Sequence, residues 1–151
     1  MRNSAKVISR FESRPPDGAT FEERLLSIGT GILERFLVSD VIDLMRVSIA
    51  EARRFPDLAK FGRIARERAA ESVAEALSRA TDTDVIRVYP TLAPDRLAAT
   101  TRFFLDLVVA HPLMRALTGE DLELIHAEIK PHVEQSIGFF LAACRCDKLL
   151  D

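Results

Sequence analysis

Residues Glu51 to Phe61 read EARRFPDLAKF, and Pro56 stands inside a run that otherwise favours helix on both sides. Proline fixes φ, lacks an N–H and pushes the residue before it out of helical geometry. A helix arriving from the N-terminal side must therefore end at Phe55. At the first position of a following helix the same proline is harmless. The stretch thus predicts a corner between two helices.

Upstream of the corner, VIDLMRVSIAEARRF is apolar nearly all round, with Asp43, Arg46 and Glu51 as its main polar residues. Ser39 and Asp40 are candidate caps for it, and such a helix is expected in the middle of a bundle. Before it, TFEERLLSIGTGILERFL opens with Thr20 and carries Glu23 three residues on, the pattern of a capping box. Phe21, Leu25, Ile28, Ile32 and Phe36 share one stripe, predicting a helix over roughly 20–38. Met1 to Ala19 contains SRPPDGA, whose residues favour turns, and is expected to be a leader or linker.

Downstream, a helix is predicted over roughly 56–80. Leu58, Phe61, Ala65, Ala69, Ser72, Ala76 and Ala80 form its packing stripe, and Arg63, Glu67, Glu71, Glu75 and Arg79 its wet side. TDTDVIRVYPTLAP reads as a connecting loop, since Val85–Tyr89 has no second strand to pair with. A helix follows over roughly 95–110, which His111-Pro112 should break before a short turn of helix ends at Gly119. Thr118 with Asp121 resembles a capping box for the last helix, over roughly 119–145, where Pro131 should cause a kink. The expectation is an all-α bundle of five to six helices over 20–145, with a tail at 146–151.

The 151 residues suit one domain, and 48% hydrophobic with 29% charged residues is a globular balance rather than a disordered one. A net charge of −2 gives no global attraction to nucleic acid. The chain lacks a secretory signal and an uncharged apolar stretch of spanning length, so a cytoplasmic protein with no membrane partner is expected. Cys144 and Cys146, two apart, read as free thiols.

Candidate chemistry is sparse. Glu123 and His126 have the spacing of a helical carboxylate and imidazole pair, but a di-iron centre needs a second such pair, so no metal and no cofactor are expected. Gly29-Thr30-Gly31 sits inside a helical stripe and reads as a close-packing position, not a phosphate cradle. The basic residues of RRFPDLAKFGRIARER are spread around a helix among Glu67 and Glu71, which reads as a solvated face. Arg102 is the expected partner of Asp106, one turn away. With no nucleophile beside a base, no catalytic residue is assigned. Met45, Arg46, Ile49, Phe61, Phe103 and Leu107 are candidates for lining an apolar cavity with a polar anchor.

The order of these segments is itself informative. ERLLSIGTGIL, LMRVSIAEARRFPDLAKFG, LAATTRFFLDLVVAHPLMRALTG and HVEQSIGFFLAACR resemble the C-terminal half of TetR/AcrR-family transcriptional regulators, in an AefR-like subgroup. Its R-x-x-I-A-E-A-x-x-F-P-x-L run is matched by Arg46, Ile49, Ala50, Glu51, Ala52, Phe55, Pro56 and Leu58. The resemblance covers roughly 20–145. It implies a homodimer in which the last two long helices pair as a four-helix bundle, and a cavity for an apolar or aromatic small-molecule effector. It also implies that DNA is bound only through an N-terminal helix-turn-helix, which has no counterpart in the leader. On that reading the chain acts as an effector-binding and dimerisation domain of a repressor, the alternatives being a stand-alone small-molecule carrier or a headless dominant-negative subunit.

The fourth and last helices carry more apolar surface than one small core can use, which also points to association. Phe104, Val108, Ile129, Val133, Ile137 and Phe140 are the candidates for the dimer interface, with Gly138 allowing close approach.

Overall fold

Every regular element among residues 18–146, which are the residues that the computed structural model describes, is helical. The elements are α1 (Phe21–Phe36), α2 (Ser39–Glu51), α3 (Pro56–Ala80), α4 (Thr83–Val88), α5 (Leu97–Leu105), α6 (His111–Leu117) and α7 (Leu122–Cys144). A 3-10 turn at Pro90–Leu92 precedes α5, and a π-helical stretch at Asp106–Ala110 joins α5 to α6. The expected all-α class is the observed one. The expected leader lies outside the described residues except for Gly18 and Ala19, and so does the expected tail beyond Cys146.

Local chemistry sets several of these boundaries. Thr20 Oγ1 accepts from the Glu23 N–H at 3.2 Å while Glu23 Oε2 accepts from the Thr20 N–H at 3.1 Å, which is the capping box that the sequence predicts. The Thr20 and Ala19 N–H groups, both donating to it, hold the Glu23 carboxyl below its ordinary range. At the corner, the Phe55 N–H still reaches the Glu51 carbonyl at 2.9 Å, and Pro56 then opens α3. Gly119, with φ of +101°, closes α6: the Gly119 and Glu120 N–H groups donate back to the carbonyls of Ala116 and Arg115, both at 3.1 Å.

The core lies between α1, α5 and α7. Leu25, Ile28, Ile32 and Leu33 of α1 meet Phe104, Val108, Val133 and Phe140, all buried. Gly29 lets the helices close up, since a Cβ there would stand 2.7 Å from Val133 Cγ1. Phe104 and Phe140 pack edge to face with ring centroids 5.1 Å apart. Side chains from other helices satisfy carbonyls that helix C-termini leave without backbone donors. Arg24 of α1 donates to the Ala80 carbonyl at 3.1 Å, and His126 Nε2 of α7 to the Leu37 carbonyl at 2.7 Å.

Four expectations need correcting. α2 is not central: Ile42 is its one buried residue, while Leu44, Val47 and Ile49 are mostly exposed. Its N-cap is Val38, with no side-chain bond from Ser39 or Asp40. The segment expected as a loop folds into α4 and the 3-10 turn, because Asp82 caps the Val85 N–H at 2.9 Å. Thr118 does not cap α7 but ends α6, donating to the Met114 carbonyl at 2.9 Å, and Asp121 caps α7 through the Glu123 N–H at 2.8 Å.

Candidate functional site

A fifth departure from the sequence reading is the most consequential, because Pro112 does not break the chain's helical course. Asp106, Ala110 and His111 all keep right-handed helical dihedrals, so α5, the π stretch and α6 run on as one rod from Leu97 to Leu117. Pro112 has no N–H, which deprives the carbonyl four residues earlier of its donor in α geometry and the carbonyl five earlier in π geometry. Those carbonyls belong to Val108 and Leu107. Both are taken by α7: His132 Nε2 donates to the Val108 carbonyl at 2.9 Å, and Ser136 Oγ to the Leu107 carbonyl at 3.0 Å.

The π stretch also answers a packing problem. Phe104, Val108, Pro112 and Ala116 are all buried and recur every four residues. In an α-helix each four-residue step overshoots a full turn by about 40°, so three steps would carry the last of them about 120° round the rod. A stretch bonded i to i+5 takes more residues per turn and offsets that drift.

The bonds from His132 and Ser136, with the Phe104 and Phe140 rings, show that α5 and α7 run antiparallel. Phe103 and Phe139 each precede one of the facing phenylalanines, so both project to the same outward side. Phe103 is 57% exposed and Phe139 74%, and Leu107 lies on that side as well. Beside them, between α6 and α7, runs an open groove of about 220 Å³ lined by His111, Pro112, Ile129, Pro131, His132 and Gln135 among others. Arg115 bounds it, bonded to Glu120 and, at 2.6 Å, to Glu128. Both partners hold the guanidinium charged, and Arg115 in turn keeps the Glu120 carboxyl below its ordinary range.

The six residues assigned to a dimer interface need correcting. Phe104, Val108, Ile129, Val133, Ile137 and Phe140 are all buried within the single chain and have almost no surface to offer a partner. α7 carries two apolar stripes, and its longer one faces α1 and α5. Gly138 does lie outside, with open space where a Cβ would stand. The expected Arg102 to Asp106 pair is not formed; both residues are exposed and neither makes an ion pair among the described residues.

Of the six effector candidates, Phe103 and Leu107 share the outward side with Phe139. Met45 is half-buried on α2, and Ile49 and Phe61 are mostly exposed. Arg46 is already engaged: it donates to the Ala116 carbonyl at 2.6 Å, to the Leu117 carbonyl at 3.2 Å and to Asp43 at 3.0 Å. None of the six lines the groove between α6 and α7. Sequence reasoning missed His132, Ser136 and Phe139 as functional candidates. The signal for the first two was Pro112 inside a four-residue apolar repeat.

Among the described residues no group of three His, Cys, Asp or Glu is arranged to hold a metal ion. His126, whose spacing from Glu123 raised that question, is bonded to the Leu37 carbonyl. Leu97–Leu117 is long and apolar enough to cross a membrane by length and composition alone, yet it carries Arg102, Asp106 and Arg115 and contributes Phe104 and Val108 to the core.

The described residues thus build an all-helical bundle with an outward apolar side. Residues 23–146 match the family described as AefR-like transcriptional repressor, C-terminal domain. The chain belongs to that family, and so to the TetR-type regulators. No curated protein and no solved structure matches it.

Proposed function

We propose that this chain is the effector-binding and dimerisation domain of a TetR-type repressor, without catalytic activity of its own, and that a second copy covers the outward side of α5 and α7. The observation that carries the dimer is the apolar side of Phe103, Leu107 and Phe139, which lies outside a core that is already closed. Contiguous exposed surface of this kind marks association sites. Arg102 and Asp106, exposed on the same rod and without an ion pair among the described residues, remain available to a charged partner.

Sedimentation equilibrium tests this. A mass near twice the 16.9 kDa of the chain is expected. A single-chain mass at every concentration up to the millimolar range would overturn it.

The effector is an apolar or aromatic small molecule held on the α2 and α3 side of the molecule by Met45, Ile49 and Phe61. Exposed apolar side chains on both helices support this reading, Ile49 at 63% and Phe61 at 60% exposure. An anilinonaphthalene sulfonate dye provides the probe. Its fluorescence enhancement should fall at least about tenfold in Ile49→Glu, the loss that a charge placed in an apolar contact implies. Unchanged enhancement in both Ile49→Glu and Phe61→Glu would exclude this location.

A further inference from the structure

α6 is seven residues long and is gripped at both ends by other helices. At its C-terminal end, Arg46 of α2 holds the carbonyls of Ala116 and Leu117. At its N-terminal end, His132 and Ser136 of α7 hold the carbonyls of Val108 and Leu107 in the π stretch. Between them Arg115 ties α6 sideways to Glu128 of α7 at 2.6 Å.

We propose that α6 is a lever joining α2 to α7, with the Asp106–Ala110 stretch as its hinge and His132 and Ser136 as the positioning residues that set it. This rests on the proposed function, because it names how the effector side and the self-association side of the domain communicate. The physical basis is the missing donor. Because Pro112 has no N–H, the rod cannot itself satisfy the carbonyls of Leu107 and Val108 in the two alternative geometries. The side chains of α7 supply the donors, so the hinge is held from outside.

A π stretch amounts to one additional residue in an α-helix. Converting it to α geometry turns α6 by about 100° and moves it about 1.5 Å along the axis relative to α5. Such a turn would pull Ala116 and Leu117 away from Arg46 and shift Met114 and Arg115 on the outer surface. Conversely, any effector that draws Arg46 away frees the far end of α6. Linkage requires the two directions to be equal in free energy.

Hydrogen exchange on the full chain tests this, using Arg46→Ala, Ser136→Ala and the double variant. Arg46→Ala is expected to speed exchange not only beside its own contacts but also at Asp106–Ala110 and around Ser136, by at least about tenfold. Ser136→Ala is expected to do the reciprocal at 43–49. The effects of the two substitutions on the unfolding equilibrium constant should depart from simple multiplication by at least about fivefold, whereas independent distant sites multiply to within about twofold.

Exchange changes confined to each variant's own contacts, together with constants that multiply, would overturn the lever. If Arg46→Ala does not fold, Arg46→Lys, which keeps the charge but not the forked donor, is judged by the same two criteria. Sedimentation of the same samples separates the two proposals. A monomeric parent chain ends the dimer reading while the exchange result still decides the lever, and a dimer with confined exchange changes ends the lever alone.

Discussion

α7 and α2 look alike as sequences, each apolar beyond a single stripe, yet they are used in opposite ways. α7 buries Ile125, Ile129, Val133, Ile137, Phe140 and Leu141 against its own chain, and still shows Leu124 and Phe139 to the outside. α2 buries Ile42 alone. The difference lies in what each can pack against. α7 meets a glycine: at Gly29 the backbone of α1 approaches Val133 closely enough that a Cβ would stand 2.7 Å from its Cγ1. α2 ends at a proline corner and leads into the N-terminal half of α3, where Phe61 and Ala65 are themselves exposed. Apolar content therefore says how much surface wants cover, while small residues on the neighbouring helix help decide which surface gets it.

The largest expected effect separates those two helices directly. Phe104→Ala, which empties a fully buried position against Phe140, should cost about 3–5 kcal/mol, while Ile49→Ala on α2 should change protomer stability by less than about 0.5 kcal/mol. Urea denaturation at one fixed protein concentration measures both, since any self-association adds to apparent stability. Equal losses would erase the contrast. Gly29→Ala comes next, at about 1–3 kcal/mol from overpacking against Val133. Gly31→Ala, with open space around the added methyl, is the control and should not destabilise.

Acid should bring a smaller, sharper signature. The carboxyls of Glu23 and Glu120 titrate below their ordinary value of 4.5 in the folded chain, the first through the Thr20 and Ala19 backbone donors and the second through Arg115. A depressed folded pKa contributes stability that is complete above the unfolded value and is lost as pH falls through the folded one. The urea midpoint should therefore fall below about pH 4.5. Glu120→Gln should flatten that decline, and an unchanged pH profile in this variant would sever the Arg115 link from stability. The smallest effect concerns the thiols. Burial raises the Cys144 pKa, and Cys146 is exposed, so a thiol reagent under native conditions should label one position quickly. Equal labelling of both would show that the end of α7 opens.

Much of this fold was legible because its signals are local. The Thr20 and Glu23 box, the Phe55-Pro56 corner and the glycine ending α6 each depend on a few adjacent residues, and each appears where the spacing places it. What sequence could not supply was the choice between competing faces. The stripe of Ile129, Val133 and Ile137 has correct helical spacing, but spacing alone does not say whether it meets its own chain or a copy. Pro112 misled for a related reason. Its usual effect is to stop a helix, but here His132 and Ser136, twenty or more residues away, provide the hydrogen bonds that let the rod continue. Arg46 was read as an anchor for a ligand because it is one of the few polar residues of a helix expected to be buried. Its partners proved to be carbonyls at the end of α6, some 70 residues on.

The most direct test of the central claim is sedimentation equilibrium of Phe139→Glu beside the parent chain, with circular dichroism recorded on both. Phe139 is 74% exposed, so the substitution should leave the helical spectrum intact. A dimer is expected for the parent, and at least about thirtyfold weaker association for the variant, the scale of a lost aromatic anchor. A folded Phe139→Glu chain that associates as tightly as its parent would contradict that claim.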